Sequence, residues 1–417
     1  MANTTVAAAV SAAAVLCGMA ISIGARPSLQ RVIPNDPFFQ YQISFDNPGG
    51  VQRIPTFSYR PSIEEYTTKK GLDHDIVPAW SITTGSKDVV VALLDDGFFY
   101  QHEDIRDNIW HNPGETGLDA TGHRKETNGV DDDHDGYVDD VVGWDFAFDD
   151  PDPDAYVFDG MDPARIQPLS HSTPALGIIG AKGNNGIGVA GINWNVSMML
   201  LKIGAQGIKR GEFDPARVDR AVKAIHFAVD HGATVINWSG FVDDKRSGKL
   251  ANLRAAIEYA GDHGVLLVVA AGNSMKNMDD DENCTYPVCF DEPNELVVAE
   301  IDYQGELDAY SGPDRVSGSN FGLRRVHIAA IARNFSTDVR NGISVYGLAG
   351  GTSNAAPVVT GIAALVLSVR PDLGAAGLKQ VLMNSARRLP SLTGKIASGG
   401  LVDGYEAVKL AIRTRSH

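Results

Sequence analysis

From Asp88 the chain runs into an unbroken apolar stretch, Val89 to Leu94, closed by Asp95, Asp96 and Gly97. A short apolar run bounded by turn residues predicts a strand buried on both faces. Further along, helical spacing over Phe213 to Gly232 leads into Ala233 to Gly240, and a second helical stretch, Leu250 to His263, leads into Gly264 to Asn273. Helix followed by buried strand, repeated, predicts a three-layer, doubly wound α/β architecture with a mostly parallel sheet and helices on both faces. The stretch Gly350 to Leu367, GGTSNAAPVVTGIAALVL, is apolar on all sides from Asn354 onward, broken only by Thr360 and Gly361. That pattern predicts a helix running through the core. Pro357 fits only the first turn of such a helix, where its missing N–H costs nothing.

Ser353 then stands at the positive end of the helix dipole, presented by Gly350 and Gly351 and surrounded by unpaired N–H groups that can stabilise a neighbouring oxyanion. Asp95 falls just past the carboxyl end of the first buried strand, where functional groups gather in open α/β sheets. His171 opens a small-residue helical segment in LSHSTPALGIIGA, where Ser172 is suited to cap free N–H groups and Pro174 is tolerable in a first turn. Asn273 closes the string AAGN.

Gly351, Thr352, Ser353, Asn354, Ala355, Ala356 and Pro357 resemble the nucleophile motif of the subtilases, the subtilisin-like serine proteases. His171, Thr173, Gly177 and Ala181 fit that family's histidine motif, and Asp95 its acid motif. The resemblance covers about Pro34 to Val408 and includes IPNDPFFQYQ and VPAWSITTGSKDVVVALLDDG near the start. It implies a serine endopeptidase acting on polypeptides through an acyl-enzyme. Asp95, His171 and Ser353 would be the triad, in the chain order known for subtilisin, with Asn273 donating to the oxyanion. Ser239, Gly240, Ala270, Ala271 and Gly272 match the walls of the primary specificity pocket. The chain also departs from the pattern. Asp96 replaces a hydroxyl residue, Ser172, Pro174 and Leu176 differ from the usual motif, NWSGF is one residue short, and Ala329 to Ala332 replace an Ala-Pro-Gly turn. Two other readings stay open, an inactive subtilase fold serving as a calcium-stabilised binding or scaffold protein, and an acyl transferase using the same acyl-enzyme.

NGVDDDHDGYVDD places Asp131, Asp133, Asp135 and Asp139 at the first, third, fifth and ninth positions of a calcium loop, with Gly136 for the turn and Val138 as an anchor. Val142 stands where the closing Glu is expected. The family resemblance adds a second calcium site from Asp104 and Asn185, the latter in GNNGIGVAGINW. Structural Ca2+ is therefore expected. A formal charge of -16, without clustered Lys and Arg, argues against nucleic-acid binding. Asp243 and Asp244, past the pocket strand, read either as a lure for basic substrate side chains or as a solvated turn.

Residues 1–25 contain an almost wholly small or apolar run that predicts a signal peptide or N-terminal membrane anchor, hence an exported protein, secreted or held at the outer face. Residues 26–85 read as an extended polar arm packing on the catalytic domain, and 86–417 as the peptidase domain of an expected monomer. The arm leaves little length for an inhibitory prodomain of the usual size. Cys284 and Cys289 are close enough to bridge in an oxidising compartment.

Overall fold

Val91 and Leu93 pack into one hydrophobic cluster, while Ala92 and Leu94 pack into another on the opposite side. The same alternation holds for Leu266, Val268 and Ala270 against Leu267 and Val269. Successive strand residues point to opposite faces, so these runs are apolar throughout because both faces are covered. The computed structural model describes residues 31–56, 62–155, 171–204, 214, 216–242, 248–311 and 316–414. The leader at 1–25, and Asp243 and Asp244, lie outside them.

In chain order the elements begin with the hairpin β1 (Gly50–Thr56) and β2 (Ser62–Thr68), then α1 (Ile76–Ala79) and β3 (Gly85–Asp95). There follow β4 (Gly143–Asp145), α2 (Thr173–Gly180), β5 (Asn195–Lys202), α3 (Arg217–Asp230), β6 (Val235–Trp238), α4 (Leu250–Asp262), β7 (Leu266–Ala270) and β8 (Glu295–Ile301). Next are β9 (Ala309–Ser311), β10 (Val316–Gly318), β11 (Ile328–Ile331), β12 (Asn334–Arg340) and β13 (Ile343–Ala349). The chain closes with α5 (Thr352–Leu367), α6 (Ala375–Ser385), β14 (Arg387–Arg388), β15 (Gly400–Leu401) and α7 (Gly404–Arg413).

Among the described residues the main sheet has nine strands in the order β14-β15-β11-β8-β7-β6-β3-β5-β4. All its pairings are parallel except that of β14 with β15. α2, α5, α6 and α7 cover one face and α3 and α4 the other, giving the expected three-layer subtilisin-like α/β fold. α5 is buried along its whole length.

The segment before β3 contributes side chains to both hydrophobic clusters. Phe39, Phe45, Ile76 and Trp80 enter the α5-side core, and Ile43, Ile54 and Leu72 the other. Trp80 Nε1 donates to the Ile192 carbonyl at 2.8 Å, and the Gln42 amide makes reciprocal bonds with the Ala190 backbone at 2.7 and 2.9 Å. Irregularly spaced aromatics carry no periodic signal, so this burial is invisible to a pattern reading. Cys284 and Cys289 form a disulfide with Cα atoms 5.6 Å apart.

Gly361 lies mid-helix in α5, where a Cβ would come within 2.9 Å of Ile192 Cδ1 and 3.0 Å of its Cβ. Alanine there would gain about 1 kcal/mol of helix propensity and lose about 1–3 kcal/mol to overpacking. Gly361→Ala should therefore lower the urea midpoint, and Ile192→Val in the same chain should recover part of the loss; a raised midpoint would show that propensity wins.

Candidate active site

Asp95 is the last residue of β3 and shares the parity of Leu93, which faces α2 and α5. Its Oδ1 lies 2.8 Å from His171 Nδ1 and also accepts the Asp96 N–H at 2.8 Å. Asp96, the residue after β3, pairs through Oδ1 with Arg217 at the start of α3 at 3.1 Å. A carboxylate oxygen of Asp96 nevertheless stays within 4.8 Å of donor atoms of Asp95 and His171, while the 2.8 Å contact with the imidazole is made by Asp95. Burial pushes the Asp95 carboxyl up, but the His171 imidazole, the Asp96 N–H and the Arg217 charge outweigh it and hold it below the ordinary carboxylate value.

His171 precedes α2, whose first turn contains Pro174 as expected. Ser172 does not cap the helix. Its hydroxyl is fully buried and donates to the Gly97 carbonyl, tying the helix start to the turn after β3.

α5 begins at Thr352, one residue before Ser353, with Gly351 as N-cap at φ 88°, a conformation that favours glycine. Pro357 is therefore past the first turn, contrary to the sequence expectation. Lacking an N–H, it cannot bond the carbonyl four residues back, which is that of Ser353. The Ser239 hydroxyl takes that place, donating to the Ser353 carbonyl at 2.8 Å, while Ser353 Oγ donates to the Ser239 carbonyl at 3.1 Å. Ser353 is 8% exposed and is held against the end of β6.

Asn273 Oδ1 accepts both the Thr352 N–H at 2.9 Å and the Thr352 hydroxyl at 3.0 Å. With the oxygen so engaged, the amide must present Nδ2 toward the cleft. An open cleft of about 330 Å³ is lined by His171, Asn273 and Ser353 together with Glu300, Asp308, Tyr310 and Arg333. The site thus brings together an imidazole paired with a buried carboxylate, a hydroxyl and an amide donor.

Of the pocket-wall residues, Ser239 touches Ser353, and Gly240 lies where an added Cβ would be 3.2 Å from Arg217 Nη2. Gly272 donates its N–H to the Thr352 hydroxyl at 3.1 Å. Ala270 and Ala271 point into opposite core clusters, so only their backbone can meet a ligand. Pattern reading missed Glu300, Asp308, Tyr310, Arg333 and Arg217. The available signal was Glu300 itself, a charge interrupting the apolar run that starts at Leu296.

The sequence model of the subtilase family matches residues 86–404. This chain belongs to the subtilase family. It is similar to Subtilisin-like protease 1 of Plasmodium vivax, 32% identical over 338 residues, covering 78% of this chain and 48% of that protein. Fervidolysin of Fervidobacterium pennivorans is 30% identical over 259 residues, 57% of this chain and 35% of that one. The chain spans about half the length of the first curated relatives it matches. Among solved structures, proteases from Pseudoalteromonas arctica PAMC 21717 superpose with TM-score 0.60 at 26% identity, over 91% of this chain and 100% of that one.

Two groups of oxygen donors lie elsewhere on this subtilase. Asp104, fully buried, accepts from Asn185 Nδ2 at 2.9 Å and from the Val189 N–H at 2.8 Å. Asp36, also buried, accepts the N–H groups of Asn184 and Asn185 at 2.7 and 3.2 Å. Burial pushes Asp104 up to about 7 against those two bonds, with Asp36 and Glu103 adding to the rise. In the acidic loop, donor atoms of Glu115, Asp131 and Asp133, and separately of Asp133, Asp135 and His231, approach within 4.8 Å of one another. Asp139 does not join them, because its left-handed backbone turns the carboxylate to the Gly129 N–H. Val138 is 39% exposed, and the anchor is instead Tyr137, packed on Trp144, Phe146 and Phe227.

Ser239→Ala should leave the Ser353 carbonyl without its donor beside the proline. An expected loss of about 1–3 kcal/mol in unfolding free energy would be read by urea titration. An unchanged stability would mean that the proline gap needs no filling.

Proposed function

We propose that this subtilase is a serine endopeptidase that hydrolyses polypeptides through an acyl-enzyme on Ser353. The supporting observation is the 2.8 Å Asp95–His171 pair opening onto the same cleft as Ser353 and the Asn273 amide. His171 takes the Ser353 proton as the hydroxyl turns from the Ser239 carbonyl to attack the peptide carbonyl. Asp95 fixes the imidazole tautomer and stabilises its charge. Asn273 Nδ2 and the Ser353 N–H receive the oxyanion, His171 then protonates the leaving amine, and water resolves the ester. The matching triad order and the cleft favour this reading over a scaffold, since no member of the constellation is missing.

Covalent labelling of Ser353 by a fluorophosphonate probe is the direct test, with labelling lost in Ser353→Ala and His171→Ala. A folded protein that never labels would favour the inactive scaffold. Asp95→Asn should lower turnover by about four powers of ten through the wrong tautomer, and Asp96→Asn by far less. The reverse ranking would exchange their roles.

Structural calcium belongs to the same proposal. Asp36 and Asp104 pair with no basic side chain among the described residues, and buried oxygens of Glu115 and Asp140 have no hydrogen-bond partner. Hard oxygen donors of this kind suit Ca2+, which would supply the missing positive charge. Asp104 and Asn185 would hold one ion, and Asp131, Asp133 and Asp135 with Glu115 another. Chelator should then lower the melting temperature at pH 8. Calcium needs the ionised Asp104, so the contribution of that site should fade as pH falls through about 7. A melting curve indifferent to chelator at pH 8 removes both sites.

We also read the chain as exported. Relatives include an extracellular basic protease of Dichelobacter nodosus and a halolysin-like extracellular protease of Natrialba magadii. The apolar run at 1–25 agrees with that route.

A further inference from the structure

The cleft has a charged half that catalysis does not use. In the sheet, β7 separates β6 from β8. Ser239 and Gly240 follow β6, and Asn273 follows β7. Glu300 lies on β8, with Asp308 and Tyr310 just beyond it, all lining the cleft with Ser353. If the acyl part of a peptide lies at the ends of β6 and β7, the residue after the scissile bond passes over the β8 side.

Two carboxylates and one guanidinium meet there. Arg333 lies 3.6 Å from Asp308, donates to the Tyr66 hydroxyl at 3.4 Å and lies over the Tyr66 ring at 5.6 Å from its centroid. The cation is thus engaged by Asp308 and Tyr66. Glu300, 2% exposed, has one backbone donor to Oε1, the Gly351 N–H at 3.0 Å. Burial and Asp308 push its carboxyl up to about 7, although the Gly351 N–H and Arg333 pull the other way. Arg333 alone does not neutralise the pair. At the mouth, Tyr310 is 51% exposed and offers a ring face against which an alkyl stem can lie.

We propose that this half of the cleft is a specificity pocket for a lysine or arginine immediately after the scissile bond. Such a side chain lays its stem on Tyr310 and brings its charge to Glu300 and Asp308. An acidic side chain enters a half-cleft in which two carboxylates stand against one guanidinium already paired with Asp308. The proposal rests on the peptidase reading, and no bond other than the scissile one changes.

The test uses the full calcium-loaded chain and three peptides that differ only after the scissile bond, carrying Lys, Ala or Glu. kcat/KM should rank Lys above Ala above Glu, with Lys over Glu by roughly tenfold. Asp308→Asn should shrink the Lys-to-Glu ratio, while Arg333→Gln should widen it. Equal rates for the three peptides, faster cleavage of the Glu peptide, or a ratio unmoved by Asp308→Asn overturns the proposal. Absence of both cleavage and Ser353 labelling would sink the peptidase reading instead. The pocket is then judged by calorimetry of Lys-Ala-amide and Glu-Ala-amide on Ser353→Ala protein: tighter binding of the lysine dipeptide supports it, and equal or reversed binding overturns it.

Discussion

Burial of both faces of the central sheet is the constraint from which the site follows. Strands such as Val91–Leu94 and Leu266–Ala270 can carry no polar side chain along their length, because helices cover each face. Polar groups gather where strands end, and one within a strand, such as Asn237 of β6, is answered by a helix hydroxyl, that of Thr360. β3 ends at Asp95, and Ser239 and Asn273 follow soon after the ends of β6 and β7. α5 brings its N-terminus to the same edge because its apolar body has nowhere else to lie. Hydroxyl, imidazole, carboxylate and amide therefore converge for reasons of packing before any reason of chemistry.

Much of this was legible in the sequence. The apolar run before Asp95 and the repeated helix-then-strand pattern carry the sheet, and the strings around His171, Asn273 and Ser353 carry the site. Asp95, the last residue of the buried run, makes the 2.8 Å contact with His171, and Asp96 just after it pairs with Arg217. What stayed hidden depends on contacts between distant segments. The aromatics before β3 enter both cores without periodic spacing. Asp139 and Val138 match a calcium-loop template by number, yet the local backbone sends one to Gly129 and the other to solvent.

Two misplacements share a cause. Pro357 and Ser172 were each assigned the role that local rules give them, a first-turn proline and a helix-capping serine. In the fold each answers to a partner far along the chain, Ser239 across from the proline gap and Gly97 beside the serine. Local preference is a weak prior when a buried carbonyl needs a donor. A serine so placed costs the helix one cap and gives the acid-bearing turn an anchor. The proline likewise frees the Ser353 carbonyl for the Ser239 hydroxyl at the end of β6.

The Asp96–Arg217 ion pair restricts how this sequence can change over time. A hydroxyl residue at 96 would leave the guanidinium, which lies close to Gly240, without its carboxylate, while loss of Arg217 alone would strand a second negative charge beside Asp95. Either single step passes through a chain with unbalanced charge at its most sensitive edge. The two positions are thus coupled by charge, and α3 is tied through Arg217 to the turn that follows β3.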